Sequence, residues 1–364
     1  MVNSILVIIE QTQQRPAMRL LIVKRDKIGD LLLTTPLLAV LRAALPNAQI
    51  HVLASDYNAW VLDGNPDVDR VWVYRRLRTA RISFDAIAGL LRLVCGLRAQ
   101  RFDVALVANG SPSPRAAAWA RRAGAKQRIG YASGTKEARG LTQALAPLTE
   151  LHEVDRLLRL AAAIGVPFAT PAPFPRYVLP AASAAAARAW LSQQSLASGS
   201  YIVLGLGARR VKKQPSVDQV LRWSAYAKHA WNMDTVFMWT PGTSTDLNYP
   251  GDDAVAASIL ARAPAYLHPF RGPLPPALGL IWGARGSVFP DSGLMHFAAA
   301  SPGGVIGLFA ETKVSPPPSQ WGPYGERASY LEAEHAVTEL NDTAVLDRLG
   351  RLVSLSASPR TTVD

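Results

Sequence analysis

The 364-residue chain is 49% hydrophobic with a net charge of +12, which excludes a disordered polyelectrolyte and gives enough length for two ordinary domains. Its one cysteine, Cys95, excludes an internal disulfide and a cysteine-built metal site and points to a reducing compartment; within the apolar run 88–97 it reads as an inert core side chain. No apolar stretch reaches the roughly 18 to 20 residues that span a bilayer, and 5–9 is too short and lacks the basic flank of a signal peptide, so a cytoplasmic location is expected.

Residues 1–17 end in a polar stretch and read as an N-terminal tail. A strand over 20–23 then meets the turn Lys24-Arg25-Asp26-Lys27-Ile28-Gly29-Asp30, after which Leu31, Leu32, Leu33, Leu37, Leu38, Val40 and Leu41 recur at helical spacing until Pro46-Asn47. Strands are expected over 50–54, 71–74, 104–107 and 128–131, with helices over 86–97, 115–123 and 154–164. This alternation predicts a parallel sheet with crossover helices. Pro167, Pro171, Pro173, Pro175 and Pro180 disfavour regular structure, so 167–180 reads as a linker between a domain over 18–166 and another over 181–340. The second half repeats the grammar, with helices over 181–191, 217–230 and 294–300 and strands over 201–204, 235–239, 287–289 and 305–309. A C-terminal helix and tail fill 341–364.

Charge divides unevenly between these halves. Of the 39 Lys and Arg and 27 Asp and Glu, residues 1–175 hold 23 and 13, leaving 16 and 14 for 176–364. The excess points to an anionic partner for the N-terminal half: nucleic acid, an anionic membrane surface or a phosphorylated substrate.

Two strand-to-helix junctions carry the chemistry, the turn at 24–30 and Phe289-Pro290-Asp291-Ser292-Gly293-Leu294-Met295-His296. Free backbone N–H groups and the helix dipole favour an anion at such places. Asp30 suits either a helix cap or a base that takes a proton from an attacking hydroxyl. Lys24, Arg25 and Lys27 place positive charge beside it. Asp291 or Ser292 caps the second helix, Gly293 removes a side chain that would hold a phosphate away from the amides, and His296 lies one turn in. The loop 205–213 adds Arg209, Arg210, Lys212 and Lys213 after another strand, again suited to a diphosphate.

Together these residues resemble the bacterial heptosyltransferases of glycosyltransferase family 9, over 18 to about 340. The resemblance rests on Ile28-Gly29-Asp30 with Thr34, Thr35 and Pro36, on Gly124-Ala125-Lys126 with Arg128-Ile129-Gly130-Tyr131, and on His152-Glu153. It continues in Lys212-Lys213-Gln214-Pro215, in Asp291 to His296, and in Trp321-Gly322-Pro323-Tyr324-Gly325. It implies an α/β GT-B architecture, two Rossmann-like domains with parallel sheets facing a central cleft. It also implies inverting transfer of heptose from ADP-heptose to a lipopolysaccharide core acceptor, with no cofactor and no metal. By the same resemblance Asp30 is the general base, Lys27 and Lys212 contact the donor, and Asp291, Ser292, Gly293 and His296 hold the ADP portion. Three places depart from the family pattern: Gln214 stands where tryptophan is usual, 239–244 lacks the glutamate expected on the ribose unless Asp246 substitutes, and the loop 314–320 is proline-rich and longer than expected. Such donors and acceptors would give the basic half an anionic lipid core to meet, with Arg75, Arg76, Arg78 and Arg81 as acceptor or membrane contacts at the cytoplasmic face of the inner membrane.

Three other readings compete. A nicotinamide-dependent dehydrogenase is disfavoured because the first junction lacks Gly-x-Gly-x-x-Gly. Nucleic-acid binding has charge in its favour but no helix-turn-helix, zinc or aromatic RNA-binding motif. A glycosyltransferase with another nucleotide-sugar donor, or a catalytically lapsed relative that only binds one, stays open.

Overall fold

The computed structural model describes residues 17–25, 27–75, 84–168, 171–207, 210–246, 251–314 and 316–354. Strands β1 (Arg19–Val23), β2 (Gln49–Ser55), β3 (Arg70–Tyr74), β4 (Val104–Val107), β5 (Gln127–Tyr131) and β6 (Gln143–Leu145) form one sheet in the order β3-β2-β1-β4-β5-β6. A second sheet runs β12-β11-β10-β7-β8-β9, from β7 (Tyr201–Gly205), β8 (Asp234–Met238), β9 (Leu267–Phe270), β10 (Ser287–Pro290), β11 (Val305–Ala310) and β12 (Ala328–Ala333). Every strand pair is parallel. Hence the central strands need cover on both faces. In β1, Leu20 and Ile22 join a core shared with the second half, while Leu21 and Val23 join a separate cluster on the opposite face.

Three strands escape the apolar-run criterion. β6 is a three-residue, largely exposed edge, too short to read as a run. β9 reads Leu-His-Pro-Phe, and its Pro269 is tolerated because β9 closes an edge of the sheet. β12 mixes polar and apolar residues at the opposite edge. The helix Leu274–Gly283 begins with two prolines, which a first helical turn accepts because its N–H groups have no intrahelical partner.

Residues 171–179 carry no helix or strand, in keeping with their prolines. The Arg176 N–H donates to Thr35 Oγ1 at 2.8 Å. Tyr177 packs edge-on against Phe297 with ring centroids 5.0 Å apart, and Trp60 stacks on that same Phe297 at 5.5 Å. One apolar core therefore runs between the halves.

Cys95 corrects the expectation of a core side chain: it is exposed. The helix Phe84–Ala99 lies beside edge strand β3, where Gly96 sits against Trp72, and fully buries only Leu97. Much of its apolar surface consequently faces outward.

Candidate active-site cleft

Gly29 and Gly293 bring the two junctions into contact. The first junction folds as a short helix, Ile28–Leu32, and the second opens the helix Gly293–Ala300. A Cβ on Gly29 would lie 2.6 Å from His296 Cδ2, and one on Gly293 would lie 2.9 Å from Ile28 Cγ1. Both spacings are too short for a real methyl group, so glycine at each position is what allows the turns to butt together.

A cavity of about 1390 Å³ opens at this meeting point. Lys27, Asp30, Arg75, Asp291, Ser292, Gly293 and His296, all singled out in the sequence, line it. Arg25, Arg210 and Lys213, offered by the sequence as phosphate-suited loop cations, line it too, as does Arg115, to which sequence reasoning assigned no role. With Lys27 and Arg75 they make six cations against two carboxylates on the walls, a field suited to a multiply charged anion. Arg115 sits in the first turn of the helix Pro114–Arg122, and a helix arginine outside any motif offers no sequence signal that it reaches a cleft. Arg76, Arg78 and Arg81 lie outside the described residues.

Lys212 is placed differently from the expectation. Within the one-turn helix Val211–Lys213 the two lysines diverge. The Lys212 side chain is 63% exposed, absent from the cavity wall, and its ammonium pairs with Glu311 Oε1 at 3.2 Å. Lys213 is 8% exposed and pairs with the Asp291 carboxylate on the wall. Asp291 is thereby held by a lysine, and both reach the mouth of the Gly293–Ala300 helix, where N–H groups without intrahelical partners favour an anion.

Asp30 occupies the third position of its short helix, and its Oδ2 accepts the Lys27 N–H at 3.2 Å. This capping bond fixes the carboxylate while leaving it on the cavity wall. His296 is buried, and burial pushes its imidazole down to about 4, with nearby Asp291 opposing and His152 and Lys27 adding to the fall. It is therefore neutral at pH 7. Its Nδ1 is buried without a hydrogen-bond partner.

Lys24 does not face a phosphate, as its place in the loop suggested. It is fully buried, and its Nζ meets Glu153 Oε1 at 3.1 Å. That oxygen also accepts the Gly110 N–H at 3.1 Å. Adjacent His152 caps the helix Glu153–Ala162 by accepting the Val154 N–H on Nδ1, leaving Nε2–H to donate to the Gly322 carbonyl at 3.1 Å. The His152-Glu153 pair thus holds architecture, tying β1 to one helix and that helix to the second half.

The departures at 214 and 239–244 share one cluster. Gln214 Nε2 donates to Asp252 Oδ1 at 2.6 Å, and the Thr240 N–H reaches Asp252 Oδ2 at 3.3 Å. Burial raises the Asp252 carboxyl above the usual carboxylate range. Trp239, Thr240 and Pro241 line the cavity, whereas Asp246 does not.

A family model described as glycosyltransferase family 9 (heptosyltransferase) matches residues 90–348. Lipopolysaccharide heptosyltransferase 3 of Escherichia coli (strain K12) is 30% identical over 142 residues, 38% of this chain and 40% of that protein, so the match spans less than half of the relative. A glycosyl transferase family 9 structure from Veillonella parvula DSM 2008 superposes with a TM-score of 0.77 at 19% identity, covering 92% of this chain and 97% of that one. The E. coli heptosyltransferase WaaC with ADP gives 0.72 at 21% identity, covering 92% and 100%. E. coli ADP-heptose lps heptosyltransferase II gives 0.68 at 22%, covering 92% and 98%. Their shared architecture is GT-B, two parallel sheets flanked by helices.

Proposed function

Because the chain belongs to glycosyltransferase family 9, we propose that it is an inverting glycosyltransferase that moves heptose from ADP-heptose to an anionic lipopolysaccharide core acceptor. The observation that carries this reading is the contact of the two junctions, which gives one cavity a carboxylate from the first half and a helix N-terminus with a lysine from the second. A displacement at an anomeric carbon needs both: a base for the incoming hydroxyl and positive potential for the departing diphosphate. Similarity to a lipopolysaccharide heptosyltransferase supports the acceptor class. A likeness in fold to a heptosyltransferase solved with ADP supports the nucleotide.

In this scheme the acceptor hydroxyl attacks the anomeric carbon from the face opposite the nucleotide as Asp30 takes its proton. The glycosidic C–O bond to the diphosphate breaks, the electron pair leaves with the phosphate oxygen, and the configuration inverts. Lys213 and the N–H groups at Ser292 and Gly293 stabilise that developing charge, with Lys27 nearby. Neutral His296 adds no competing positive charge and keeps its ring against Gly29. Lys213 takes the diphosphate role that the resemblance gives to Lys212, supported by its place on the cavity wall. Arg25, Arg75 and Arg115 receive the anionic acceptor.

Calorimetric titration with ADP, UDP and GDP tests the donor. ADP should bind selectively, and Lys213→Ala or Asp291→Ala should weaken it by roughly tenfold or more, the loss expected when a charge-assisted contact is removed. Lys212→Ala should change affinity less than Lys213→Ala. Preference for UDP or GDP would overturn the heptose assignment, and a larger loss in Lys212→Ala would return the phosphate role to that residue.

A further inference from the structure

The helix Phe84–Ala99 turns an apolar stripe to solvent. Phe84 is 91% exposed and Leu91 59%, with Ile87 and Leu90 also exposed and Cys95 on the same side. Positions 84, 87, 91 and 95 are three or four apart, so these side chains share one face. A contiguous apolar face of this kind on a soluble domain marks an interaction surface.

Charge identifies the occupant. Residues 70–98 contain seven arginines and one acid, Asp85. Among them Arg75, Arg92 and Arg98 are exposed in the structure. Arg92 lies beside the stripe, and Arg98 ends it, its Nε donating to the Arg122 carbonyl at 3.0 Å while the side chain stays exposed; a helix with bulky apolar residues along one face and arginines beside and beyond them is the pattern that lies in the headgroup region of an anionic bilayer, with its apolar side chains entering the acyl boundary. A protein partner would need no such excess of one sign, and a second copy would bring the same positive charge against itself. No helix among the described residues is long and apolar enough to cross a membrane, so contact through this face would lie along the surface.

We propose that the Phe84–Ala99 helix docks the protein on an anionic lipid bilayer, with Phe84, Ile87 and Leu91 inserted and Arg92 and Arg98 on headgroups. Arg75 of the cavity wall follows directly on β3, the edge strand that this helix packs beside. An acceptor anchored in the same bilayer then reaches the cavity without leaving the membrane. Lipid binding is independent of the donor assignment and is read without any transfer reaction.

The full chain supplies its own probe, because its single cysteine lies on the stripe. An environment-sensitive fluorophore on Cys95 should shift to the blue with phosphatidylglycerol-containing vesicles and stay unchanged with pure phosphatidylcholine. In co-sedimentation, Phe84→Ser and Leu91→Asp should each weaken partition by roughly tenfold, as burying one large apolar side chain implies. Arg92→Glu with Arg98→Glu should weaken it as well, and ADP affinity should be unchanged in all variants. An unshifted label on vesicle addition overturns the proposal. So does vesicle binding that the arginine changes abolish but Leu91→Asp leaves intact, and so does a dimer in sedimentation that Leu91→Asp dissolves while vesicles fail to bind.

Discussion

Glu153 shows how a motif residue serves a site it never touches. Its carboxylate neutralises Lys24, which is fully buried at the end of β1 just before the Asp30 turn. Removing one partner of a buried pair takes away the opposite charge that offsets the other's desolvation. Glu153→Ala should therefore lower stability by about 3 to 5 kcal/mol in denaturant unfolding, the range for a broken buried pair. Lys24→Met added to it should recover much of the loss; no recovery would mean that Glu153 acts through Gly110 or Arg156 instead. The sequence made Glu153 visible as a helix start and Lys24 visible as a cation near a turn. It could not pair them, since they lie 129 positions apart.

His296 makes a residue-scale prediction about pH. Its folded value of about 4 lies below the ordinary histidine value of 6.5, so between these limits the unfolded chain binds more protons than the native one. Stability must then rise with pH across that window and fall as pH drops from 6.5 toward 4. Thermal unfolding should show this decline, and His296→Asn should flatten it relative to the wild type. An unchanged slope in the variant would assign the acid sensitivity to other groups, such as His152 and His51, whose values are also lowered by burial.

At the scale of elements, the contact between Ile28–Leu32 and Gly293–Ala300 governs the cleft. Gly29→Ala should drive a methyl group into the His296 ring and separate the two turns. The expected result is a destabilisation of about 1 to 3 kcal/mol, as for overpacking, with a fall in kcat larger than the change in ADP affinity. Normal kcat in a folded Gly29→Ala protein would show that this contact does not set the position of Asp30. The sequence exposed both junctions because each joins an apolar strand to an apolar helix through glycine. Their mutual contact was legible only through the family resemblance. Lys212 and Lys213 illustrate the remaining limit: in a single helical turn, neighbouring side chains point apart, and no periodicity tells which one enters the cleft. Cys95 illustrates another, since an apolar helix beside an edge strand need not bury its apolar face. Edge strands β6, β9 and β12 lack the apolar runs that betray central strands, so the sheets were legible from the middle outward.

Across the whole molecule, the aromatic contact of Trp60, Tyr177 and Phe297 and the core around it join the two sheets. We propose 18–166 and 181–340 as structural units linked by 167–180, coupled through that shared core. Thermal unfolding should then be one cooperative transition that ADP shifts upward as a single peak. Two separated transitions, with ADP moving only one, would show that the halves fold independently. Positive charge concentrated in the first half, and a diphosphate-suited helix terminus in the second, suit the first unit to the proposed acceptor and the second to the proposed donor.

The most direct test is transfer from ADP-heptose to a lipopolysaccharide core acceptor by the wild type and by Asp30→Asn, with ADP affinity measured on both. The account predicts product of inverted anomeric configuration from the wild type, and at least a hundredfold loss of rate in the variant, the scale of a removed general base, with ADP binding retained. Undiminished transfer by Asp30→Asn would contradict the role of Asp30, and ADP binding without any transfer by the wild type would leave a nucleotide-binding protein in place of an enzyme.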